Sequence, residues 1–226
     1  MTHLLNEIYR QLFQAFGHRH WWPGESREEV IIGAILTQNV AWRNVSSAIE
    51  NLRKHRLLTL ADIHRANLEL IASLIMSTRF FHQKARKLKN FTGFLFTNYS
   101  GSLDEMFARP TCELRKELLS INGLGEETAD SILLYAGGKA VFVVDAYTKR
   151  IFSRMGITSE EMTYQEYQAF FMSALKPDAG LYNDYHAQIV YLGHHYCKAK
   201  NPACDKCPIR RLCRLGGATL ESTPAG

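Results

Sequence analysis

The chain has no apolar run that approaches the length of a bilayer-spanning helix, so no transmembrane helix is expected. Its first residues, MTHLLNEIYRQLFQAFGHRHWW, carry the acidic Glu7 and lack a small-residue cleavage site. They do not read as a secretory leader, and a cytoplasmic location is the default. No repeat and no low-complexity segment occurs before the last residues. Strand signals are nearly absent as well. Only Val141–Val144 reads as an extended apolar run, and a single strand has nothing to pair with, so the expected fold class is all-α. Cysteine is scarce until the end of the chain: of 5 in all, Cys112 alone precedes residue 197. That distribution argues against a disulfide framework. Cys112 lies in a helical stretch and is expected to be a small core residue.

What the 226 residues do contain is helix, with enough apolar content (46%) for one large or two small domains. The formal charge of +5 is compatible with a polyanionic partner without requiring one. Leu4, Leu5, Ile8, Tyr9, Leu12, Phe13 and Phe16 recur at helical spacing and give one apolar face, which Gly17 ends. Ser26 and Glu29 have the spacing of a capping box and open a helix through Leu36. Helices follow near 43–55 and 68–76, then a basic stretch, Arg79 to Lys89, whose plain reading is one solvated helix face. Thr163 and Glu166 repeat the capping-box spacing, and a last long helix covers about 181–196. Residues 1–25 and the C-terminal third both carry apolar faces without complete cores of their own, so the two ends are expected to pack together.

The stretch around which the chain is organised runs from Leu118 to Arg150. It holds a helix end, an Ile121-Asn122-Gly123-Leu124-Gly125 turn and a second helix. Gly123 and Gly125 suit a turn that needs positive φ and close approach, and the amides after them sit at a helix start, where a phosphate fits. The plainer reading is an ordinary helical hairpin. About twenty residues on, Asp145 follows the Val141–Val144 run at the expected start of another helix, where Asp is often simply an N-cap. Two further polar or aromatic groups stand out. Trp21-Trp22-Pro23 and Trp42 are either packing corners or the walls of a pocket. Gln38-Asn39, after an apolar helix, are either its C-terminal cap or a polar wedge.

The remaining cysteines, Cys197, Cys204, Cys207 and Cys213, have the spacing C-x6-C-x2-C-x5-C. Four thiolates within so short a span are a soft-metal set. Zinc and a cubane iron–sulfur cluster both remain open on spacing alone, although zinc sites more often pair two C-x2-C knuckles or include histidine. Lys198, Lys200, Lys206, Arg210, Arg211 and Arg214 surround them.

In this order, the Gly-Leu-Gly hairpin, Asp145 and the C-terminal cysteine loop resemble the endonuclease III superfamily of DNA glycosylases over nearly the whole chain. The resemblance implies a two-domain helix–hairpin–helix fold. Its parts would be residues 1–25 packing on the cluster domain, a six-helix barrel domain at 26–138 and a second helical domain at 139–226. It implies a 4Fe–4S cluster on the four cysteines, acting as a DNA-docking staple. It also implies a flipped damaged nucleotide in double-stranded DNA. Asp145 would be the carboxylate that stabilises an oxocarbenium sugar or prepares a water. Gly123 and Gly125 would hold a phosphate, Gln38 or Asn39 would fill the vacated stack, and the enzyme would act as a monomer at the nucleoid.

The family's Schiff-base lysine falls at Glu127 here, and a carboxylate forms no imine, so monofunctional chemistry is expected. Lys149 is a conceivable substitute but reads more simply as a surface lysine. Trp21-Trp22-Pro23, Leu36-Thr37-Gln38-Asn39, Trp42 and the Gly-Leu-Gly-Glu-Glu-Thr-Ala-Asp run resemble the 3-methyladenine DNA glycosylase III branch, which excises N-alkylated purines. The resemblance thus puts Trp21, Trp22, Trp42 and Glu127 at the base pocket, with Trp21 and Trp42 as the chief stacking faces. Two alternatives stand beside it. One is a glycosylase for uracil, mismatched thymine or oxidised pyrimidines, with or without lyase activity. The other is a DNA-binding protein without catalysis.

Overall fold

The structure, a computed structural model, describes residues 1–38 and 40–221. It is helical, and no strand occurs among the described residues. No helix there is long and apolar enough to cross a membrane. Contacts divide the chain into two compact units, one of Met1–Trp21 with Ala140–Gly226, the other of Trp22–Lys139.

In chain order the helices are α1 (Thr2–Phe16), α2 (Arg27–Leu36), α3 (Trp42–Lys54), α4 (Leu60–Arg65), α5 (Leu68–Leu74) and α6 (Phe81–Tyr99). They continue with α7 (Leu103–Ala108), α8 (Thr111–Ser120), α9 (Glu126–Ser131), α10 (Ala146–Arg154), α11 (Tyr164–Ala174), α12 (Ala179–His195) and α13 (Arg214–Glu221).

The unit of Trp22–Lys139 is built around α2. Every residue from Glu29 to Leu36 is buried, as expected of a helix that is apolar on all sides. It packs against α3, α6, α9 and the π-helical turn Ile132–Ala136 that continues α9. Ser26 caps α2 by accepting from the Glu29 amide at 3.2 Å. The box predicted there is only half formed. The Glu29 carboxylate instead accepts from the Glu25 amide at 3.3 Å and from Arg53 Nη2 at 3.2 Å to each oxygen.

The basic stretch on α6 also departs from expectation. Lys84 is 2% exposed, and its ammonium donates to the Leu36 and Thr78 carbonyls. Lys89 Nζ likewise donates to the Ile63, His64 and Ala66 carbonyls. These lysines tie helix ends together rather than form a solvated face. Burial is the main reason that the Lys84 pKa falls to about 8. Cys112 is exposed on α8, not a core residue; its side chain leaves on the outer side of a helix that buries Leu114 and Leu118.

In the other unit, α1 buries Leu5, Ile8 and Leu12 completely, each contributing about 1.5–3 kcal/mol relative to exposure. It packs on α11 and α12, with the Tyr185 hydroxyl donating to the Leu5 carbonyl at 2.9 Å. Buried Asp184 on α12 accepts from the Tyr9 hydroxyl at 3.0 Å and the Arg19 amide at 2.9 Å. Val141–Val144 is buried, without regular secondary structure, and joins no sheet among the described residues. Its Phe142 stacks on Phe171 of α11 at 4.1 Å between ring centres, with Tyr182 and Tyr185 of α12 edge-on. Thr163 and Glu166 form the complete capping box at the start of α11.

Candidate functional site

Three groups of residues stand out, and each lies within a single unit.

The first is Asp145. The run before it is buried, and Asp145, itself extended (φ −122°, ψ −177°), leads the chain into α10. Its Oδ1 accepts from the Thr148 amide at 2.7 Å and from the Thr148 hydroxyl at 2.9 Å. The plain N-cap reading is therefore correct in geometry, but it describes only one oxygen. The other, Oδ2, stands 3.6 Å from Nε2 of His186 on α12, and the two side chains are only 11% and 7% exposed. Burial lowers the His186 pKa, and the neighbouring carboxylate opposes the shift. A carboxylate held by one edge, with an imidazole beside its other oxygen, suits the stabilisation of a developing positive charge.

Further along the same helix, Arg150 donates to the carbonyls of Cys197 at 2.9 Å and Gly193 at 3.0 Å. Arg154 donates to Cys197 Sγ at 3.5 Å, Lys198 O at 2.7 Å and Ala199 O at 2.8 Å. Helix α10 thus carries Asp145 at its start and braces the cysteine loop from its end. Lys149 is half-buried, with Nζ 3.4 Å from the Met162 carbonyl and 5.5 Å from the centre of the Tyr167 ring. It is not the open surface lysine that its sequence context suggests.

Cys197, Cys204, Cys207 and Cys213 are half-buried thiols. Burial, and after it the negative charge of the other cysteines, raises the pKa of Cys204. Burial also pushes Cys207 up to about 11, against a hydrogen bond from the Ile209 backbone. Thiols that raise one another's proton affinity in this way are neighbours, and a bound cation reverses the penalty. Among the described residues no three His, Cys, Asp or Glu side chains converge to hold one metal ion. Lys198, Lys200, Lys206, Arg211 and Arg214 are exposed around them, and Arg210 is half-buried.

The second group is the hairpin between α8 and α9. Arg115 grips the buried Asp130 through two bonds, Nε to Oδ1 at 2.7 Å and Nη2 to Oδ2 at 3.0 Å, and so fixes α8 on α9. Gly123 has φ +94°, and a Cβ there would lie 2.6 Å from Lys87 Cγ. Here glycine is required. Gly125, by contrast, has φ −94° and open space around a notional Cβ, so the positive φ expected of it does not occur. It precedes α9 without any side-chain cap.

Beside the hairpin lies a recess of about 650 Å³ lined by Gln83, Arg86, Lys87, Lys89, Asn90, Asn122, Gly123 and Leu68. Gln38 is not a loose wedge: its Nε2 donates to Thr128 Oγ1 at 2.7 Å, and its Oε1 accepts from Lys87 Nζ. Asn39 lies outside the described residues.

The third group is aromatic. Trp22 meets Trp42 edge-to-face at 5.3 Å and 84°, and Tyr135 at 5.3 Å. Gly33 lets the indole in, since a Cβ there would sit 3.0 Å from Trp22 Nε1. The two tryptophans line a recess of about 560 Å³ with Pro23, Gly24, Glu25, Glu29, Ser46, Ile49, Glu50 and Arg53. Neither Trp21, which belongs to the other unit, nor Glu127, exposed on the first turn of α9, lines this recess. Within this recess Trp22, expected as the third wall, stands against Trp42, and Gly33 opens the face of α2 to its indole.

Sequence reasoning missed His186, one histidine in a helix full of tyrosine and histidine, and it missed Glu25, Glu29 and Glu50.

Comparison with known proteins places this geometry. The family described as HhH-GPD superfamily base excision DNA repair protein matches residues 32–177, and the iron-sulfur binding domain of endonuclease III matches residues 197–213. The match supports a 4Fe–4S cluster in this protein, and the matched residues span the four cysteines. The chain is 46% identical over 212 residues to a candidate DNA repair glycosylase of Methanocaldococcus jannaschii, covering 93% of this chain and 96% of that one. It superposes on endonuclease III trapped as a covalent intermediate with DNA with a TM-score of 0.82 at 22% identity, over 97% and 99% of the two chains. The 3-methyladenine DNA glycosylase of H. pylori, bound to 1,N6-ethenoadenine, matches with a TM-score of 0.73 at 28% identity, over 83% and 96%.

Proposed function

The chain belongs to the HhH-GPD superfamily of base excision DNA repair proteins, in its endonuclease III-like branch, and on that premise we propose that this DNA glycosylase is monofunctional and excises N-alkylated purines such as 3-methyladenine and 7-methylguanine. The observation that carries the reading is the recess of Trp22 and Trp42. Two electron-rich indoles stand there with Glu25, Glu29 and Glu50 against the single cation Arg53. Such a lining favours a flat ring with positive charge. Cation–π attraction contributes about 1–2 kcal/mol once desolvated, and the surplus carboxylates add to it. A neutral pyrimidine draws on neither.

In this reading Asp145 provides the negative charge for the oxocarbenium-like sugar or receives the proton of the attacking water. An N-alkylated purine is already a good leaving group, so one carboxylate suffices. Gly123 and Gly125 hold a phosphate of damaged double-stranded DNA, Gln38 or Asn39 fills the vacated stack, and a monomer does the work. When bound, the iron–sulfur cluster cross-links the loop that carries Lys198, Lys200 and Lys206, a structural rather than a redox contribution. The carboxylate of Glu127 offers no amine to the sugar, and Lys149 is engaged with Met162 and Tyr167.

The test is an excision screen on duplexes that each contain one defined lesion, followed by borohydride treatment. The expected outcome is release of methylated purines, an intact abasic product and no trapped protein–DNA adduct. Release of uracil, mismatched thymine or thymine glycol without methylated purines would overturn the substrate assignment. A trapped adduct would overturn monofunctionality. DNA binding with no release from any lesion would overturn both.

A further inference from the structure

Asp145 is held asymmetrically. Thr148 takes Oδ1 twice, through its amide at 2.7 Å and its hydroxyl at 2.9 Å. Those two bonds fix where Oδ1 lies but leave the tilt of the carboxylate about it less constrained. The group that faces the second oxygen is the His186 imidazole, Nε2 at 3.6 Å from Oδ2. His186 sits mid-helix on α12, 6% exposed, flanked in sequence by Tyr185 and Ala187, both buried. Helix α12 packs directly on α10, which Asp145 begins.

An imidazole in such a position is a poor filler. Burying a polar ring in place of an aliphatic one carries a desolvation cost that packing alone does not return. The neighbouring polar residues of α12 have other work: Asp184 accepts from Tyr9, Arg19 and Gln188, and Gln188 donates to the Gly17 carbonyl. His186 is the one turned to Asp145.

We propose that His186 is a positioning residue for the reaction, bracing Oδ2 of Asp145 so that the carboxylate presents that oxygen to the sugar in one orientation. The proposal rests on the reading of Asp145 as the catalytic carboxylate, and it is independent of which base is excised. At 3.6 Å the contact is too long to be a hydrogen bond. It is short enough to become one with a small rotation of the ring, as catalytic contacts tighten on substrate binding. Burial lowers the His186 pKa against the pull of the Asp145 carboxylate, which favours a ring that steers the carboxylate without cancelling its charge. An imidazolium in the same place would neutralise the charge that the sugar cation needs.

The experiment compares His186→Leu, His186→Gln and Asp145→Asn in the full-length, cluster-containing protein. Single-turnover excision is measured on a duplex with one 7-methylguanine, or on whichever lesion of the panel the wild type releases. Affinity for the same duplex and thermal stability are measured alongside. His186→Leu should slow excision about 10–100-fold, the range typical of orienting partners elsewhere, with affinity within about twofold of wild type. His186→Gln keeps an amide N–H near the place of Nε2 and should recover most of the rate.

A packing role reverses that order, with Leu tolerated and Gln impaired in stability and binding as well as rate, and overturns the proposal. Wild-type rates in both His186 variants while Asp145→Asn is inactive also overturn it, and leave Asp145 standing. If Asp145→Asn retains the wild-type rate, the catalytic reading of Asp145 falls and this proposal falls with it.

Discussion

Two helices of this protein begin in the same backbone conformation and are finished in opposite ways. Asp145 before α10 and Gly125 before α9 are both extended, at ψ −177° and 179°. Each presents the unsatisfied amides and partial positive charge of a helix N-terminus. At α10 the protein supplies its own anion: the carboxylate of Asp145 takes the Thr148 amide, and the charge stays inside the chain. At α9 the residue before the helix has no side chain to offer, and no side-chain cap closes the turn. One helix start fixes the carboxylate proposed for chemistry. The other has a glycine before it and two carboxylates, Glu126 and Glu127, in its first turn, and on the proposed function the backbone of that turn would meet a DNA phosphate. On that reading a single local device, the helix N-terminus, would serve turnover at one place and DNA binding at the other according to which residue stands at the cap.

The sharpest way to break that separation is Asp145→Asn. The amide oxygen can still accept from Thr148, so the helix start should survive with little change in stability, while the negative charge is lost. Excision should fall by at least about two orders of magnitude, comparable to removing a transition-state stabiliser elsewhere, with binding to lesion DNA retained. A single-turnover assay paired with an equilibrium binding titration checks both halves. If both fall together, the two functions are not separable as argued.

Trp42→Ala probes what lies between chemistry and docking. Its edge-to-face contact with Trp22 lines the recess with Glu25 and Glu50, so its loss should act on the lesion rather than on the duplex. Excision of a methylated purine should weaken by about 1–3 kcal/mol, as base–aromatic stacking does elsewhere. Affinity for undamaged duplex, which depends on phosphate contacts, should hardly move. If the tryptophans only pack, the variant loses thermal stability and treats every substrate alike.

The sequence made the helices legible because their signals are local. The apolar face of α1 at residues 5, 8 and 12, the Ser26 cap and the Thr163–Glu166 box depend on residues within a turn or two. The cysteine loop was legible for the same reason. What could not be read were decisions made between distant residues. Nothing near Trp22 in sequence says that Gly33 admits its indole and so lets it stand against Trp42. Nothing near Lys84 says that the Leu36 and Thr78 carbonyls draw its ammonium inward from an apparently solvated face. His186 was invisible because the carboxylate it faces lies about forty residues earlier in the chain.

The smaller effects belong to the hairpin glycines, and they separate two reasons for being glycine. Gly123→Ala meets both a positive φ of +94° and Lys87 Cγ at 2.6 Å, so it should destabilise the protein by about 1–3 kcal/mol, as strained backbone positions do. Thermal unfolding should show it before any binding assay does. Gly125→Ala meets neither obstacle. At φ −94° an alanine is comfortable, and no heavy atom lies within 4 Å of its Cβ. Removing backbone freedom from the unfolded chain should even stabilise slightly, by about 0.4–1 kcal/mol. Any loss in DNA affinity then reports on what approaches from outside. If a phosphate rests on the amides of this turn, the added methyl displaces it, and affinity should fall several-fold for lesion and undamaged duplex alike. Because an amide contact is lost and no lysine or arginine is removed, the dependence of affinity on salt should keep its slope. Unchanged affinity in Gly125→Ala would mean that the uncapped helix start is only a turn. The contrast with Asp145 would then be one of local geometry, not of function.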